Sequence, residues 1–175
     1  FIPGLEGVCA RVLFKDQGNI FIGTYGNGYF IWKDGKLMKP PLDRNKFLSH
    51  AHSFLIDKNN YLWMSTNKGL FRVPYQQVLS YIEDTTNTLQ YEYFGDDDGI
   101  LNTEFNGGCT PSVVRLKNGY VSYPTMEGLV WFVPESIPST TSDEEILIDD
   151  IYIDGTLVES NTLSIPPNHQ MIKIN

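Results

Sequence analysis

Basic residues are scarce in this chain of 175 residues, where 13 Lys and Arg stand against 21 Asp and Glu for a formal net charge of −8. No cluster of Lys or Arg offsets the deficit. Nucleic acid is therefore excluded as a partner, because its binding rests on cationic side chains neutralising phosphates. An anionic membrane surface is disfavoured for the same reason. Cysteine is scarcer still. Cys9 and Cys109 lie a hundred residues apart, which makes neither a disulfide framework nor a metal knuckle, and free thiols are expected. No apolar run approaches the roughly 18 residues that span a bilayer, so no transmembrane segment is expected in this chain. It starts at Phe1 with no charged-then-apolar leader, and is expected to be a piece of a longer protein.

Aromatic residues are plentiful. Ten Tyr, ten Phe and three Trp make 13% of the chain, and such side chains suit pleated, half-buried strands. With 41% hydrophobic and 19% charged residues, the composition is that of a folded protein able to build a core. An all-β fold is predicted.

Self-similarity organises those strands. Three segments share one grammar: Val12–Thr24, Phe54–Thr66 and Val113–Thr125 each hold an apolar strand, a polar turn and a second apolar strand ending on Thr. A glycine turn and a third strand follow each Thr, as Gly28–Trp32, Gly69–Val73 and Gly128–Phe132. Lys58-Asn-Asn-Tyr-Leu62 matches Lys117-Asn-Gly-Tyr-Val121 almost letter for letter. The turns carry Asn and Gly because tight hairpins need residues that tolerate positive φ. Thr24 and Thr66 are 42 residues apart, the period of a four-stranded propeller blade.

Thr66 and Thr125 are 59 apart, so about 17 residues are inserted beyond that period. The insertion holds Tyr75, Val78, Leu79 and Ile82 at helical spacing behind Pro74, which predicts one short helix near 74–83. A strand over 89–94 and a turn over 95–99 are expected after it. The predicted blades span about 6–49, 50–107 and 108–137, a partial ring of four-stranded antiparallel sheets. Residues 138–145 form a polar linker. From 146 to 175 a new unit begins, with a hairpin turning on Asp154-Gly155 and a strand over 170–174.

These residues resemble a known family. Ile20-Phe-Ile-Gly-Thr-Tyr-Gly-Asn-Gly28 and Leu62-Trp-Met-Ser-Thr-Asn-Lys-Gly-Leu70 are similar to the two-component-regulator propeller repeat. Asp98–Gly108, continuing to Gly128-Leu-Val-Trp-Phe-Val-Pro134, looks like the final blade of such a propeller. Residues 146–175 look like the opening of the Ig-like, three-tyrosine β-sandwich module that follows it. Phe21 departs from the Trp that the repeat prefers, and Tyr123-Pro124 from its Phe-Gly. The resemblance implies a periplasmic or extracellular sensor region of an inner-membrane regulator, commonly a hybrid histidine kinase or a diguanylate cyclase. It implies carbohydrate sensing and a homodimeric full receptor whose output domains lie across the membrane.

Candidate chemistry is thin. Gly23-Thr-Tyr-Gly-Asn-Gly28 runs opposite to a nucleotide-binding glycine loop and has no helix after it, so a hairpin turn is expected. Asp96-Asp-Asp98-Gly99 lacks the ligand spacing of a calcium loop. His50 and His52 share one side of a strand, a spacing that can chelate zinc, but no third ligand is anchored nearby and surface or inter-blade roles are preferred. His169 is expected to be exposed. Asp149 and Asp150 are adjacent in a strand and point to opposite faces. No catalytic residue, metal or cofactor is expected.

The loop between the second and third strand of each blade opens on the same rim as the segment entering the first. That places Tyr25, Asn27, Asn67, Asn106 and Glu127 as candidate ligand-binding residues, suited to stacking on and hydrogen bonding to a small molecule or oligosaccharide. The expected partners are that ligand and the rest of the propeller. A propeller lyase or hydrolase, and an interaction scaffold without a small ligand, are the competing readings.

Overall fold

A computed structural model describes residues 2–138, 151–158, 168 and 170–174. It divides into two compact units, residues 1–137 and 138–175. No helix among the described residues is long and apolar enough to cross a membrane.

The first unit is built from antiparallel sheets. Blade 1 runs β1 (Ala10–Asp16), β2 (Asn19–Thr24), β3 (Tyr29–Lys33) and β4 (Lys36–Met38), in that spatial order. Blade 2 repeats it with β5 (Ser53–Ile56), β6 (Tyr61–Thr66), β7 (Gly69–Pro74) and β8 (Glu92–Phe94). Two-residue turns close the hairpins of blade 1, Gln17-Gly18 where the sequence placed a turn and Asp34-Gly35 in addition: all four residues have positive φ, the pairing a type I′ turn needs.

The recurrent Thr has a structural reason. Thr24, Thr66 and Thr125 each donate from Oγ1 to the carbonyl of the glycine that opens the next strand, Gly28, Gly69 and Gly128, at 2.6, 3.0 and 3.2 Å. The same hydroxyls accept from the backbone N–H of Asn27, Lys68 and Glu127. One side chain thus satisfies two backbone groups in each turn and fixes where the turn points.

Blade 3 differs from the four-stranded expectation. It has three strands among the described residues, β9 (Val114–Arg115), β10 (Val121–Thr125) and β11 (Gly128–Phe132). Among the described residues no left-handed pair reverses the chain directly after β11 as Asp34-Gly35 does after β3. Instead Pro134–Ser136 winds into a 3₁₀ turn, and a proline has no N–H with which to continue a ladder.

The insertion forms α1 (Tyr75–Glu83), with Pro74 at its N-cap rather than in its first turn. Tyr75, Val78, Tyr81 and Ile82 are its buried residues. Tyr81 joins the expected stripe because its hydroxyl reaches the Lys39 carbonyl at 2.9 Å. The strand expected over 89–94 is shorter, only Glu92–Phe94. Leu89 packs on the core beside the helix, and the Gln90 N–H donates to Gln77 Oε1 of α1 instead of to a strand.

Two apolar seams hold the blades together. Phe21, Tyr29 and Ile31 of blade 1 meet Phe54, Leu62, Met64, Phe71 and Val73 of blade 2. Leu70 of blade 2 meets Ile100, Phe105, Val121 and Tyr123, with Phe94, Val130 and Phe132 packed against them. Alternation explains the division: Phe71 and Val73 face one neighbour, Leu70 and Arg72 the other.

The second unit shows β12 (Ile151–Ile153) between β13 (Thr156–Leu157) and β14 (Ile172–Ile174). Asp154 and Gly155 both have positive φ, as the hairpin reading requires. Asp154 Oδ1 also accepts from the N–H groups of Gln170 and Met171. Residues 139–150, which hold most of the expected linker, the start of the hairpin, Asp149 and Asp150, lie outside the described residues, as does His169.

Candidate functional site

Equivalent positions of the three blades converge on one depression. Val12 faces Gly23 and Ser53 faces Ser65 in matched register, so Arg11 and His52, one residue before each of those pairs, occupy the same place at the opening of the blade. Asn106 completes the series, its N–H donating to the Pro124 carbonyl as that of His52 donates to Ser65. Tyr25, Asn67 and Met126 are a second equivalent set, each following the turn threonine. All six line a depression of about 200 Å³ together with Glu104, Phe105, Gly107 and Gly108.

Each blade pairs its two positions differently. In blade 1 the Arg11 guanidinium lies 4.9 Å from the Tyr25 ring centroid, a cation–π arrangement that holds the charge over the ring. Tyr25 also meets His50 edge-on at 4.4 Å, and His50 Nδ1 is bonded to Ser49 Oγ at 2.8 Å. In blade 2 His52 Nε2–H donates to Asn67 Oδ1. In blade 3 the Asn106 carbonyl oxygen accepts from the Gly108 N–H at 2.9 Å, and the Met126 N–H donates to the Glu104 carbonyl at 3.0 Å.

His52 is the buried floor, only 3% exposed. A Cβ on Gly107 would stand 2.1 Å from its Nδ1, so the glycine is required by the ring beneath it. Burial pushes the His52 pKa below its ordinary value; the Asn67 bond opposes the shift, and the nearby His50 and Arg11 add to it. A histidine with a lowered folded pKa protonates first in the unfolded chain. Stability is therefore lost as pH falls from about 6.5 toward the folded value. His52→Gln is expected to remove that part of the acid dependence, read as a smaller drop in melting temperature between pH 7.5 and 5.5.

Of the residues singled out from sequence, Tyr25, Asn67 and Asn106 come together here. Asn27 does not: its backbone N–H bonds to Thr24 Oγ1 and its side chain is exposed beyond the depression. Glu127 lines a different hollow, with Leu101, Asn102, Leu129 and Trp131. Sequence reasoning left out Arg11, Glu104 and His52 as contacts of this site. The signal available was position: Arg11 and His52 stand at the opening of their repeats, next to the turn in space but 14 and 15 residues from Tyr25 and Asn67. Asp96–Asp98 forms a 3₁₀ turn in which Asp98 Oδ2 accepts from the Gly95 N–H at 2.8 Å. No group of three or more metal-ligating side chains occurs among the described residues.

Repeated four-stranded antiparallel sheets, whose turns meet on one rim, define a protein of the β-propeller class. No protein-family profile matches the chain. Among solved structures it is similar to the extracellular domain of a protein assigned as a hybrid two-component system from B. thetaiotaomicron, with a TM-score of 0.53 and 22% identity over 90% of this chain and 20% of that one. The extracellular domain of a protein assigned as a one-component system from the same organism superposes more distantly, with a TM-score of 0.36, 16% identity, and coverage of 87% and 25%. Histidine kinase P4 of Formosa agariphila is 24% identical over 131 residues, 74% of this chain. The chain spans 8% of the length of that curated relative.

Proposed function

We propose that the chain is an extracytoplasmic ligand-sensing portion of a bacterial two-component receptor of the hybrid histidine kinase kind, responsive to carbohydrate. The observation that carries this is the convergence of paired side chains from three blades on one rim, on a fold similar to the extracellular domain of a hybrid two-component system. Tyr25 and Met126 are 46% and 62% exposed there, giving apolar surface for a sugar ring, beside amide and carboxylate groups for its hydroxyls.

The way out of the blade unit supplies a mechanical element. Glu135 Oε1 accepts from Arg115 Nη1 at 2.8 Å and from the Lys58 N–H at 3.1 Å. Arg72 Nη1 donates to the Ile137 carbonyl at 3.3 Å. Residues 134–137 are thus fastened to blades 2 and 3 at once, and a ligand that shifts one blade against the other moves the segment that leads onward. In the full receptor the expected readout is a homodimer whose kinase activity follows that movement.

The test is signalling in the intact receptor with a transcriptional reporter. Tyr25→Ala together with Asn67→Ala is expected to abolish the response to the inducing saccharide while leaving unstimulated output and receptor abundance unchanged. An undiminished response in that double variant would overturn the assignment of sensing to this rim.

A further inference from the structure

The polar groups left over at the rim are mostly donors. Asn67 spends its carbonyl oxygen on His52 Nε2–H, and Asn106 spends its own on the Gly108 N–H. Among the described residues neither Nδ2 is bonded, so each amide offers its NH₂ to the depression. Arg11 adds the guanidinium. Arg72 and Arg115 are ion-paired with Glu92 and Glu135, whereas Arg11 makes no ion pair among the described residues and is held only over the Tyr25 ring. The one carboxylate lining the depression is that of Glu104, and it too makes no ion pair among the described residues.

A neutral saccharide presents hydroxyls that both donate and accept, and it would offer the Arg11 guanidinium no charged acceptor of its own. We propose that the ligand of this depression is an acidic saccharide, with its carboxylate received by Arg11, its hydroxyls by the amides of Asn67 and Asn106 and by Glu104, and its apolar ring face by Met126. The inference rests on the sensing reading and names the ligand class of that same site. Guanidinium and carboxylate match as planar, bidentate partners. The cation–π contact with Tyr25 orients the group before the ligand arrives, which reduces the ordering cost of binding.

The experiment is calorimetric titration of the full chain with D-glucuronate and D-galacturonate, their neutral parents D-glucose and D-galactose, and D-galactose 6-sulfate. At least one uronate is expected to bind about tenfold or more tightly than its neutral parent, the worth of one charge-assisted hydrogen bond. The preference is expected to weaken as salt is raised. Arg11→Gln is expected to abolish it and Arg11→Lys to restore part of it, with unchanged circular dichroism and melting temperature, since Arg11 lies on the surface. Equal or tighter binding of the neutral sugars, tighter binding of the sulfated sugar, an unaltered preference in Arg11→Gln, or no binding by any of the five would overturn the proposal. Failure of the sensing reading is separate. If the uronate binds as stated but the intact receptor's reporter ignores it, recognition stands and sensing falls.

Discussion

Arg72→Ala is expected to destabilise the blade unit by about 3–5 kcal/mol, the range for removing one partner of a buried ion pair. Arg72 is 1% exposed and its guanidinium is held by an ion pair, by aromatic rings and by a backbone carbonyl. Nε and Nη2 bond to Glu92 Oε2 at 2.9 and 2.7 Å. The rings of Tyr61, Trp63 and Phe94 surround it with centroids 4.5, 5.5 and 5.3 Å away. Nη1 donates to the Ile137 carbonyl. Truncation leaves a cavity among the rings and removes the tie on residues 134–137. Arg72→Met refills the cavity and is expected to recover part of the loss, because Glu92 is partly exposed and can be rehydrated. Urea unfolding of the full chain gives the stability. Hydrogen exchange at residues 134–138 gives the tie: faster exchange is expected in both variants, and unchanged exchange would show that Arg72 does not hold the exit segment.

Trp63→Ala is expected to cost a similar amount, about 3–5 kcal/mol. The Trp63 side chain is fully buried, with Phe94 and Phe132 each 5.2 Å away between ring centroids. It therefore belongs to the seam between blades 2 and 3. Its Nε1–H donates to Asp57 Oδ2 at 2.7 Å, and Asp57 Oδ1 accepts from the Tyr61 N–H at 2.9 Å. Asp57 is itself buried, so losing the indole N–H strips a desolvated carboxylate of a partner. Trp63→Phe separates the two effects. It keeps most of the packing and is expected to cost about 1–3 kcal/mol from the unpaired acceptor alone. If Trp63→Phe were as damaging as Trp63→Ala in chemical denaturation, packing across the seam would not be the larger contribution.

These two residues show where sequence reading stops. Ile31, Arg72 and Trp131 hold the same place in the third strand of their blades. Ile31 is buried against blade 2, Arg72 is buried among rings and Trp131 is 63% exposed. The repeat reveals that the positions correspond, yet nothing in the local sequence says that a guanidinium is buried at one and an indole open at another. What covers each residue is the next blade, and that contact joins segments far apart in the chain.

The same limit applies at the rim. Tyr25 and Asn67 were legible because turn chemistry dictates which residues project from a hairpin, and Asn106 because it stands beside a pair of glycines. Arg11 and His52 were not, because they stand at the opposite end of their hairpins in sequence and reach the turn only through strand pairing. Asn27 and Glu127 lie outside this depression for the complementary reason. They follow Tyr25 and Met126 by two residues and one residue, and the Thr-anchored turn carries them past the depression.

By itself the sequence determined the all-β class, the hairpins and their turns, the inserted helix and the change of unit after the blades. Those follow from local rules: side-chain alternation with period two, residues that tolerate positive φ, and a 42-residue repeat. Only the tertiary structure decided that blade 3 has no fourth strand among the described residues, that Arg72 is buried while Arg11 is exposed over the Tyr25 ring, and that six side chains from three blades share one depression. Each of those depends on register between strands and on packing between sheets, where burial and pairing are set by residues distant in sequence.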